Sequence, residues 1–116
     1  LLIGNSMNKF ELFTMVFYAL DAQWHKNKRS DLGNFLSSMN PFWWGDIGSA
    51  DPAIYVDFCS LINEPITREN SFALAKKYID STGESFVKKA FNKISKEVWD
   101  ECLNEYLSAP HKGADE

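Results

Sequence analysis

The sequence predicts an all-α fold, a single compact bundle-like domain of five or six short helices. Three observations carry that reading. Apolar residues recur at steps of three and four almost throughout. No stretch alternates apolar and polar residues with period two over a useful length. Prolines and capping residues break the apolar stripes into short segments.

The first helix is expected from Asn8 to about Lys26. Phe10, Phe13, Phe17, Leu20 and Trp24 form its stripe, and Leu12, Met15, Val16 and Ala19 widen it. So broad an apolar face predicts a central helix covered on more than one side. Asn8 is placed as its N-cap, with Glu11 three residues on, near the positive end of the helix dipole. Ser30 is expected to cap a second, shorter helix that buries Leu32, Phe35, Leu36 and Met39. Gly33 weakens that helix, and Asn40-Pro41 ends it, because a residue before proline avoids helical angles.

An irregular stretch follows, from Pro41 to Ala50. Asp51-Pro52 then reads as an N-cap with proline at the first helical position. The third helix carries Ile54, Tyr55, Phe58, Cys59, Leu61 and Ile62 up to Asn63-Glu64-Pro65. Thr67 caps the fourth, with Phe72, Leu74, Ala75, Tyr78 and Ile79 inside. A capping box from Ser81 to Glu84 is expected to start the fifth, with Phe86, Val87, Ala90, Phe91 and Ile94. Ser95 is placed as the cap of a sixth, with Val98, Trp99, Cys102, Leu103, Tyr106 and Leu107; the fifth and sixth could also form one kinked helix. The domain is therefore expected over residues 8–109. Residues 1–7 are expected to be disordered or, for Leu1–Ser6, foreign to the native chain with Met7 its start, and residues 110–116 to fray.

The chain has 116 residues, 45% hydrophobic and 15% aromatic, enough to fold around a core with no metal or disulfide. Its formal charge of −4 gives no whole-molecule electrostatic footprint for nucleic acid. The charge is uneven. Residues 30–67 hold no Lys or Arg, only the acids Asp31, Asp46, Asp51, Asp57 and Glu64. The longest apolar run, Phe10–Leu20, is about half a membrane span and contains Glu11, so no membrane partner is expected. Cys59 and Cys102 lie in apolar stripes and are expected as buried free thiols in a reducing cytoplasm.

Chemistry-bearing patterns are sparse. His25, Cys59, Cys102 and His111 lack the short spacings of a zinc site, so neither metal nor cofactor is expected. There is no GxSxG turn, no GxxxxGK and no GxGxxG. Catalytic residues are not assigned. What stands out is Phe42-Trp43-Trp44, followed by Gly45, Asp46, Gly48 and Asp51. Three consecutive large aromatics cannot all face one way: either they close the end of the bundle, or at least one is left partly outside for contact. The sequence therefore points to a non-enzymatic interaction domain. It would dock a protein partner or form a homodimer through the aromatic and acidic 41–51 loop, using Phe42, Trp43, Trp44, Asp46, Asp51 and Tyr55. Two alternatives are a small-molecule binding domain, with Trp43, Trp44 and Tyr55 around a cationic ligand held by Asp46 or Asp51, and an enzyme using an acidic residue near the same loop.

Overall fold

Seven consecutive residues near the start of the first helix, Phe10 to Val16, are buried. A helix covered on all sides needs neighbours on all sides, and the rest of the chain supplies them. The computed structural model describes residues 6–116. Its helices are α1 (Lys9–Asn27), α2 (Ser30–Met39), α3 (Pro52–Leu61), α4 (Arg68–Ser81), α5 (Ser85–Phe91) and α6 (Lys96–Ser108). The other five all pack on α1, as its broad apolar face predicts. The result is an all-α bundle-like domain with a Cα radius of gyration of 13.3 Å, close to the value of about 13 Å expected for one compact chain of this length.

Local chemistry sets most of the boundaries. Asn8 caps α1 through a full capping box, its side chain accepting from the Glu11 N–H while Glu11 accepts from the Asn8 N–H. Asp51 caps α3 ahead of Pro52, Thr67 caps α4, and Ser95 caps α6. Two expectations are corrected. The cap of α2 is Arg29, with Ser30 already helical. The Ser81–Glu84 capping box does not form: α4 runs on to Ser81, whose hydroxyl donates to the Tyr78 carbonyl, and Glu84 precedes α5 with no side-chain cap. Residues 92–95 separate α5 from α6, so the two are not one kinked helix.

Gly33 has a packing reason that sequence could not supply. A Cβ there would lie 2.8 Å from the Trp24 indole nitrogen, so only glycine lets α2 come this close to α1.

A short antiparallel pair joins β1 (Ser6–Met7) to β2 (Ile66–Thr67), with Met7 opposite Ile66 and both buried. Two residues are too few to show a period, which is why the sequence gives no sign of them. Ser6 and Met7 are thus ordered here. The expectation for residues 1–5 lies outside the described residues.

Aromatic rings fill the centre. Phe13 meets Tyr55 and Phe58 edge-on at 5.1 Å each. Phe91 and Trp99 lie 5.9 Å apart, and the buried Trp99 indole N–H donates to the Ser71 hydroxyl at 2.9 Å. Phe13→Ala is expected to cost about 3–5 kcal/mol, whereas Val98→Ala, at a half-exposed position, should stay within about 0.5 kcal/mol. Urea unfolding midpoints for the two variants check this contrast.

Candidate functional site

The connection from α2 to α3 is irregular but pinned at both ends. Asn40 holds its start, accepting the Phe42 N–H on its side chain and the Ala50 N–H on its carbonyl. The Asp51 N–H donates to the Ser38 carbonyl at 2.8 Å. Ser49 is fully buried; its hydroxyl donates to the Asp51 carbonyl and accepts the Tyr55 N–H. Within the loop, the Trp44 indole N–H donates to the Ser49 carbonyl at 2.9 Å. These bonds fix the backbone, yet the three aromatics face outward. Trp43 is 65% exposed, Trp44 48% and Phe42 43%.

The loop is also braced from behind by the end of the chain. The Lys112 ammonium donates to the carbonyls of Pro41 at 2.7 Å and Trp44 at 2.8 Å, and stands 5.3 Å from the centre of the Phe10 ring. Gly113 lies so close to Phe10 that a Cβ would clash with that ring, and its φ of +82° is itself a glycine conformation. Its carbonyl accepts from the Asn8 side chain.

His111 anchors this strap. Its Nε2 is 2.6 Å from the Glu11 carboxylate and its Nδ1 is 2.7 Å from the Ala109 carbonyl. Both partners are acceptors, so the ring donates from both nitrogens, as an imidazolium does. Burial works against the charged ring, but the Ala109 carbonyl and the Glu11 carboxylate outweigh it and raise the His111 pKa above 6.5. Residues 111–113, expected from sequence to fray, make these contacts in the folded chain. The charged anchor holds them, and no local sequence pattern signals a contact with a residue one hundred positions away.

The six residues singled out from the sequence do not all meet. Phe42, Trp43, Trp44 and Asp46 share the exposed loop. Asp51 spends its side chain on capping α3, accepting the Ala53 N–H at 3.2 Å. Tyr55 belongs to the core, packed on Phe10, Phe13 and Phe58; burial, with Cys59 adding, raises its pKa. Tyr55 thus packs against the core rings, while Trp43 and Trp44 are exposed on the loop. Phe42 also adjoins a cleft of about 510 Å³ lined by Tyr18, Tyr106, Ala109, Pro110 and the strap. Phe42 lies 5.7 Å from Tyr18, which lies 5.7 Å from Tyr106. Burial, opposed by the Thr14 hydroxyl and reinforced by Glu11 and Tyr18, pushes Tyr106 up to about 12.

Sequence reasoning missed Tyr18, Tyr106, His111 and Lys112. The 43% exposure of Tyr18, on a helix otherwise so buried, shows only in the folded chain. The cysteines are also corrected: Cys102 is exposed and Cys59 half-buried, because α6 and α3 each keep a face in solvent. Among the described residues no three His, Cys, Asp or Glu side chains gather as metal ligands, and no helix is long and apolar enough to cross a membrane. No family model matches the chain, and no curated protein or solved structure is significantly similar to it.

The strap carries a pH dependence. Because the folded-state pKa of His111 stands above its unfolded value, the stability it adds is full below about pH 6.5 and is lost as pH rises through the folded value. The urea midpoint of the wild type should therefore fall between pH 6 and pH 8 by more than that of His111→Gln. Lys112→Ala should raise acrylamide quenching of tryptophan emission, since the 41–51 backbone loses two charged hydrogen bonds.

Proposed function

We propose that this protein is a non-enzymatic helical interaction domain that docks a protein partner, or a second copy of itself, through the 41–51 loop. The observation that carries the reading is the outward display of Phe42, Trp43 and Trp44 on a backbone fixed by Asn40, Ser49 and Lys112. Large aromatics held in place lose little conformational entropy on binding, and tryptophan leads the residue types that dominate interface energy.

Magnitudes set the extent of the face. Two indoles exposed by 65% and 48% offer on the order of 280 Å² of ring surface, or about 7 kcal/mol at about 25 cal/mol per Å². Association costs roughly 4–15 kcal/mol in lost freedom of movement, a range that brackets this gain, so tight binding calls for more apolar area than the indoles offer. Phe42, Tyr18 and the cleft beside Tyr106 extend the apolar ledge. Asp46, exposed in the same loop, supplies a rim charge that favours a partner carrying Lys or Arg beside its apolar pocket. Enzymatic use of an acidic residue near the loop has less support, because the loop brings no base, nucleophile or second carboxylate next to Asp46 among the described contacts.

Sedimentation velocity across a concentration series, together with affinity capture, tests the reading. Trp43→Ala and Trp44→Ala should each weaken self-association or partner capture at least ten-fold while circular dichroism stays native. If both variants associate as the wild type does, the loop is not the docking site.

A further inference from the structure

A second concave surface lies between α2, α3, α4 and α5. It is a groove of about 650 Å³, within the roughly 300–1,000 Å³ range of small-ligand sites. None of Phe42, Trp43 and Trp44 lines it, so it is separate from the aromatic ledge. Its charged lining residues are all acidic, and no Lys or Arg lines it. Asp31 is already paired with Arg29 at 2.7 Å, and Asp51 caps α3. Asp57 and Glu84 face the groove with no ion pair among the described residues.

The remaining lining residues narrow the chemistry. Phe35 and Phe86 form an edge-to-face pair at 6.4 Å on the wall. Tyr78 also lines the groove. Its side chain is 95% buried, its ring packs edge-on against Phe13 and Phe58, and its hydroxyl has no hydrogen-bond partner among the described residues. Ser81 and Thr82 donate their hydroxyl protons to the Tyr78 and Ile79 carbonyls, so their oxygens have only lone pairs left to offer. Asn34, Ser38 and the Tyr78 hydroxyl can both donate and accept, so with four carboxylates the groove is weighted toward acceptors, and it is walled by rings. It calls for a ligand that donates hydrogen bonds, carries positive charge and has an apolar stem. A bare divalent cation fits poorly, because the carboxylates come from separate elements and do not converge as a ligand set.

We propose that this groove is a binding site for primary alkylammonium groups on an aliphatic stem, as in a free linear polyamine or the lysine side chains of a peptide. The ammonium groups lie against Asp57 and Glu84, the stem lies on Phe35 and Phe86, and the Tyr78 hydroxyl accepts from one ammonium. Ring faces add cation–π attraction to the charge contacts.

The test is a titration of the isotope-labelled full chain with spermidine and, separately, with a pentalysine peptide, read by amide chemical shifts at low ionic strength. A glycol of similar length serves as the uncharged control. Shifts should be confined to the groove and absent with the glycol. Tyr78→Phe keeps the ring packing and every charge, and should weaken binding at least three-fold. Asp57→Asn combined with Glu84→Gln, both exposed positions, should weaken it ten-fold or more, and Trp43→Ala should leave it unchanged. Tighter binding of spermidine marks a small-molecule site, and tighter binding of the peptide marks a partner's lysines. The proposal is overturned if neither probe binds, if shifts spread equally to Glu97, Glu101 and Glu105 on α6, or if Tyr78→Phe binds as the wild type does.

Discussion

The burial of the first two turns of α1 is the constraint on which the rest of the molecule depends. Because Phe10 to Val16 are covered on every side, Glu11 is carried into the interior with them. A buried carboxylate without partners is costly, by several kcal/mol. Its two oxygens are satisfied by the Asn8 N–H at one end and by His111 at the other. The first bond caps α1. The second brings the end of the chain back to the beginning, and this contact sets Lys112 beneath the 41–51 loop. Local capping, chain closure and support of the aromatic loop therefore share one acid.

Such bracing changes what exposed aromatics mean. Indoles on a loose loop fold back on the nearest apolar surface. Here the Trp44 N–H is tied to the Ser49 carbonyl, Ser49 is tied to α3, and the loop carbonyls are held by an ammonium group. Turning the apolar surface inward would break these backbone hydrogen bonds. Preorganisation of this kind lowers the entropy lost on binding, which decides whether a small apolar face can hold a partner.

The charge distribution follows the same architecture. A stretch with no Lys or Arg, residues 30–67, wraps from α2 through the loop to α3. Its acids fall on both the loop and the groove, while the lysines of α4 and α5 lie elsewhere on the surface. The groove therefore keeps a uniform sign, since side chains of the one lysine-rich segment, residues 68–96, reach it only through Tyr78, Ser81, Thr82, Glu84 and Phe86. Apolar ledge and acidic groove are two surfaces with different chemistries on one small scaffold.

Much of this was legible from residue order alone. Helical periodicity and the caps at Asn8, Asp51, Thr67 and Ser95 gave the all-α class and most boundaries, because capping and i,i+4 burial are short-range effects. The aromatic loop was visible for the same reason: three consecutive large rings cannot share one face. Only the folded chain decided which rings stay outside. It sent Tyr55 to the core, left Tyr18 exposed, docked His111 on Glu11 and gathered Asp57, Tyr78 and Glu84 around one groove. Those outcomes join residues tens of positions apart, and contacts of that range depend on how helices cross, which local periodicity does not encode.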